Sequence, residues 1–88
     1  MAVVVEMQNT GNLAQRSEIV ASIEHALRQE PGEWEISIVG SRESDDWEMK
    51  IAGPNGFERM YTLAGNAGEH EAEVIRSVLT RLLSARAR

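Results

Sequence analysis

The sequence contains no cysteine. That absence excludes disulfide staples, Cys-type zinc sites and thiol catalysis, and it leaves the redox compartment open. No stretch approaches the ~20 apolar residues of a membrane span. The short apolar run Ala2-Val3-Val4-Val5 stops at Glu6 and has no basic residue ahead of it, so it does not read as a signal peptide. Cytoplasmic residence without membrane contact is the resulting expectation. Aromatics are scarce, at 5% of the chain. Positive charge is short as well: 9 Lys and Arg stand against 14 Asp and Glu, a formal net charge of −5. A domain of that sign gains little from the phosphate attraction that drives nucleic-acid binding.

What is present is an ordinary globular mixture, 42% hydrophobic and 26% charged over 88 residues. A chain of this length buries roughly 60–65% of its unfolded surface, enough for one modest core. A single domain over residues 1–88 is expected. A cofactor-binding domain with a separate substrate domain would not fit, and no cofactor is expected.

Val3, Val4 and Val5 are β-branched, which favours a strand over Ala2–Met7. The same run also fits a loose apolar tail over residues 1–8. A helix follows. Asn12 with Gln15 three residues later resembles a capping box. Leu13, Val20, Ile23 and Leu27, widened by Ile19 and Ala26, recur near helical spacing. Arg16, Glu18, Glu24 and Arg28 are left for water, and Pro31-Gly32 ends the helix.

Two segments then alternate with period 2. Trp34, Ile36 and Ile38 form one dry face, and Trp47, Met49 and Ile51 form another. This is the pattern of an antiparallel sheet covered on one side. The turn Gly53-Pro54-Asn55-Gly56 decides the next register. A three-residue loop, with Pro54 and Asn55 in a type I turn and Gly56 as the left-handed bulge residue, sets Trp47 against Leu63 and Met49 against Tyr61. It also sets Arg59 opposite Ile51. A one-residue slip would turn every side chain to the other face. The last helix is expected to begin near Asn66, with Glu69 in the capping-box position. Val74, Ile75, Val78, Leu79, Leu82 and Leu83 form its stripe. The expected fold is α+β: a three-stranded antiparallel sheet, extended by an N-terminal strand if Ala2–Met7 joins it. Two helices pack on one face, in the order (β)-α-β-β-β-α.

Few chemical motifs survive inspection. His70-Glu71-Ala72-Glu73-Val74 begins like a zinc-protease helix, but the second histidine that would share its face is replaced by Val74. His70 and Glu73 alone make a weak metal pair, and a solvated helix face explains them. His25 and Glu24, adjacent in sequence, point to different sides of a helix. No serine sits in a Gly-x-Ser-x-Gly elbow, and no base, nucleophile and oxyanion donor occur together. Gly65-Asn66-Ala67-Gly68 could open a phosphate-binding helix. Glu69, Glu71 and Glu73 follow it at once and would repel an anion. Trp34 and Trp47 belong to the dry faces, so they read as core rather than as stacking platforms for bases. No catalytic or metal residues are expected.

Charge layout is the informative feature. From Glu30 to Glu48 there are seven acids (Glu30, Glu33, Glu35, Glu43, Asp45, Asp46, Glu48) against Arg42 alone. From Arg76 to Arg88 there are four arginines and no acid. Solvated faces that keep a small domain soluble explain such a layout without function. As function, it points to a small non-catalytic interaction module that presents Glu35, Glu43, Asp45, Asp46 and Glu48 to a basic protein partner. Self-association is a further expectation: a strand through Val3-Val4-Val5 could pair with a free sheet edge of a second copy to give a homodimer.

The order helix, three strands, helix resembles the layout of double-stranded-RNA-binding domains, as does the spacing from Gly40 through Trp47 to the next strand. That resemblance implies an alternative, nucleic-acid binding, here through Arg76, Arg81, Arg86 and Arg88. In that family the start of the last helix carries a lysine-rich run that grips phosphates. The corresponding stretch here, Gly68-Glu69-His70-Glu71-Ala72-Glu73, has the opposite sign.

Overall fold

The structure, a computed structural model, describes residues 2–28 and 30–86. Its elements are β1 (Ala2–Gln8), α1 (Leu13–Leu27), β2 (Glu33–Gly40), β3 (Trp47–Ala52), β4 (Glu58–Leu63) and α2 (Ala72–Arg86). The class is α+β in the order β-α-β-β-β-α, and the N-terminal segment is a full member of the sheet. Strand order follows chain order, β1-β2-β3-β4. β1 runs parallel to β2 from Ala2↔Glu33 to Gln8↔Val39, and the remaining pairs are antiparallel. Parallel neighbours need a crossover, and α1 supplies it.

The alternating residues of β2 and β3 turn Trp34, Ile36, Ile38, Trp47, Met49 and Ile51 to one side. There they join Leu63 of β4, Ile19, Ile23 and Leu27 of α1, and Ile75, Val78, Leu79 and Leu83 of α2 in one buried cluster. Both helices therefore lie on the same face of the sheet. The two tryptophans are core: Trp34 donates from Nε1 to the Pro31 carbonyl at 3.2 Å and meets Phe57 edge-on, with ring centroids 5.5 Å apart.

The hairpin register is the one expected, with Trp47↔Leu63, Met49↔Tyr61 and Ile51↔Arg59. Its turn chemistry differs. Asn55 as well as Gly56 has positive φ, 61° and 77°, as an Asn-Gly pair takes in a primed turn that matches the twist of the flanking strands. Arg59 places its guanidinium 4.9 Å from the Phe57 ring centroid.

The start of α1 is also as expected, since the Asn12 side chain accepts a hydrogen bond from Gln15 N at 2.8 Å. Its stripe is shifted, however. Leu13 is 72% exposed while Ile19, Ile23 and Leu27 form the seam. Arg16 is not simply left for water, because its Nε is buried without a hydrogen-bond partner among the described residues.

The start of α2 requires a larger correction. Residues 65–67 form a single 3-10 turn, and the helix begins at Ala72. Gly68 has φ 74°, a left-handed conformation that breaks any helix from Asn66. Glu69 does not cap a helix. Its carboxylate accepts from Ala64 N at 2.9 Å and from the Tyr61 hydroxyl at 3.1 Å, tying the lead-in segment back to β4.

Candidate interaction face

The helices cover one side of the sheet, and the other side is open. The strand registers define its membership. Val4, Glu6 and Gln8 come from β1, and Glu33, Glu35, Ser37 and Val39 from β2. Glu48, Lys50 and Ala52 come from β3, and Glu58, Met60 and Thr62 from β4. The face thus holds five glutamates against one lysine. Val4, Val39 and Met60 are exposed among them, Met60 at 65%. Each apolar side chain stands cross-strand from a charged one: Val4 from Glu35, Val39 from Glu48, and Met60 from Lys50.

The carboxylates are only partly compensated. Lys50 Nζ lies 3.9 Å from Glu58 Oε2, with both side chains well exposed. Thr62 Oγ1 donates to Glu48 Oε1 at 2.7 Å. The carboxylates of Glu6, Glu33 and Glu35 have no hydrogen bond or ion pair to a described residue. Like charges on neighbouring positions of one sheet face repel, so this arrangement does not serve the sheet's own stability.

The five acidic residues singled out from sequence fall into two groups. Glu35 and Glu48 lie on the open face. Glu43, Asp45 and Asp46 lie in the β2–β3 loop, which leaves the ladder at the Gly40–Trp47 pair, one residue beyond Glu48. The loop is tightly organised. Ser41 N donates to the Asp46 carbonyl at 2.9 Å, and the hydroxyls of Ser41 and Ser44 accept from Glu43 N and Asp46 N. Three members of the face, Glu6, Glu33 and Glu58, were missed. The period-2 pattern of β2 already pairs Glu33 with Glu35, and the hairpin register places Glu58 opposite Ala52. Glu6 had no local signal, because its position depends on the parallel pairing of β1.

The C-terminal arginines do not form a patch among the described residues. Arg76 lines the groove between α1 and α2 beside Glu18, Glu71 and Glu73. Arg81 lies 6.0 Å from the Tyr61 ring centroid, on another flank of α2. The side chain of Arg86, and Arg88 entirely, lie outside the described residues.

His70 is occupied structurally. Its ring stacks on Trp47 with centroids 3.6 Å apart and planes at 8°, and Nε2 lies 2.9 Å from the Leu63 carbonyl oxygen. A carbonyl oxygen only accepts, so Nε2 carries the proton. The described residues contain no group of three or more metal-ligating side chains, and none of their helices is long and apolar enough to cross a membrane.

These features define a small α+β unit with one helix-covered and one open sheet face. Among solved structures, the N-terminal domain of Protein Y from Thermus thermophilus is similar to it. The TM-score is 0.51 at 11% sequence identity, covering 92% of this chain and 98% of that one. At that identity the likeness shows the fold alone. No protein-family model matches the chain, and no curated protein matches it.

Proposed function

We propose that this chain is a small, non-catalytic, cytoplasmic interaction module whose open acidic sheet face, with the adjoining β2–β3 loop, docks a basic protein partner. The carrying observation is the face itself: five glutamates against one lysine, three of them unpaired within the described residues. A surface that concentrates one sign of charge steers an oppositely charged partner and disfavours wrong ones. Val4, Val39 and Met60 add apolar contact between the charges. Arg76 and Arg81, directed to different neighbours, favour nucleic-acid binding less.

The test is affinity capture from host lysate at low and moderate salt, with and without nuclease, by wild type and two charge-reversed variants. Glu35→Lys with Glu48→Lys alters the sheet face, and Asp45→Lys with Asp46→Lys alters the loop. A basic protein should survive nuclease, weaken with salt and be lost from the face variant. Equal retention by both variants rejects this surface. Material that disappears with nuclease shifts the function to the C-terminal arginines.

A further inference from the structure

Among the described residues β1 is an edge strand that pairs only with β2. The backbone groups on its other side face no strand among the described residues, and such an edge is a template for another strand. On the helix side, an apolar groove runs beside this edge. Val5 and Met7 of β1 and Leu13 and Val20 of α1 line it, with Arg16 and Glu24 along the same helix stripe. The buried Nε of Arg16 has no hydrogen-bond partner among the described residues. A hydrogen-bonding edge, an apolar groove, an unpartnered cation and an exposed carboxylate thus lie side by side.

We propose that this edge binds a second copy of the chain, β1 against β1, antiparallel about a two-fold axis through Val5. Such an interface must be self-complementary, with each contact made twice. Val5 is the centre of β1 (Ala2–Gln8), and Val20 is the centre of α1 (Leu13–Leu27). On the helix side the axis pairs Val5 with itself and Val3 with Met7, all partly buried apolar residues already packed on the core. On the open side it sets Val4 against Glu6. Shifting the axis to Glu6 would set two carboxylates directly opposite, which is destabilising. Shifting it to Val4 would separate Met7 from Val3.

The helices fit the same axis, since Val5 and Val20 line one groove. α1 returns antiparallel to β1 through the crossover, so two copies of α1 flank the axis in opposite directions. Arg16 lies four residues before Val20 and Glu24 four residues after it, about 6 Å to either side along the helix. The axis therefore brings Arg16 of each copy to Glu24 of the other. The unpartnered cation gains a carboxylate, and both apolar grooves close on each other. The two four-stranded sheets become one, and the open acidic faces stay exposed, so the dimer is independent of the docking function proposed above.

Sedimentation velocity of the full chain across the micromolar to near-millimolar range tests the pairing. Wild type should show a reversible monomer–dimer equilibrium. Arg16→Glu and Glu24→Arg, each alone, replace two attractive contacts by two repulsive ones and should weaken association about tenfold. An equimolar mixture of the two variants should recover wild-type affinity as a heterodimer, and so should the double variant, because opposite charges meet again. Glu24 is exposed and Arg16 half-buried, so circular dichroism and the urea midpoint of each variant check that it folds as wild type does. A wild type that stays monomeric overturns the dimer. Association unaffected by either variant, or a mixture that recovers nothing, overturns this interface.

Discussion

Thr10 sits where β1 hands over to α1 and is only 2% exposed. Its Oγ1 is buried without a hydrogen-bond partner among the described residues, although buried hydroxyls ordinarily find one. Leaving such a group unsatisfied costs about 1–3 kcal/mol. Thr10→Val keeps the shape and removes the hydroxyl, so it should leave unfolding free energy unchanged or raise it by up to about 1 kcal/mol. The urea midpoint reports this directly, and a clear drop would show that the hydroxyl is satisfied in solution. Next to it, Asn9 has φ 55° and donates from Nδ2 to the Gly40 carbonyl at 3.2 Å. A Cβ on Gly40 would collide with the Asn9 carbonyl oxygen. The exit of β1 and the exit of β2 therefore meet at a position only glycine can occupy, which seats the acidic β2–β3 loop.

At the scale of elements, the segment between β4 and α2 shows how a local signal can mislead. Asn66 and Glu69 have the spacing of a capping box, and that spacing predicts a helix start. Gly68 intervenes with a left-handed φ of 74°, and Glu69 spends its two oxygens on Ala64 N and the Tyr61 hydroxyl. Those bonds tie the lead-in to α2 back to the end of β4. Glu69→Ala should cost about 1–3 kcal/mol of unfolding free energy, since it leaves a half-buried N–H and hydroxyl without their acceptor. Glu71→Ala, at an exposed neighbouring position, should change it by less than about 0.5 kcal/mol. Equal effects from the two would assign Glu69 no anchoring role. β1 teaches the complementary lesson. Three consecutive valines are as compatible with a tail as with an edge strand. Only its seven-residue parallel ladder to β2 separates the two. Because β1 belongs to the sheet, deleting residues 2–7 would test folding rather than self-association.

At the scale of the whole molecule, unpaired like charges on one face set stability against recognition. Glu35 neighbours Glu33 on its own strand and lies diagonally from Glu6 across the ladder. Glu35→Gln should therefore leave unfolding free energy unchanged or raise it by a few tenths of a kcal/mol, while weakening the partner. Urea denaturation and affinity, measured on the same variant, separate these effects. A loss of more than about 1 kcal/mol in stability would make Glu35 a structural residue. The sequence by itself determined the existence of both helices, though not where α2 starts, together with the three antiparallel strands, most of the core face and the hairpin register. Period 2 and period 3.6 are local patterns, and alternation together with the length of the turn fixes the register. Only the tertiary structure decided that β1 joins the sheet in parallel, which adds Glu6 to the open face and leaves one strand edge beside Arg16. Those facts depend on contacts between segments distant in sequence, where no local periodicity carries the information.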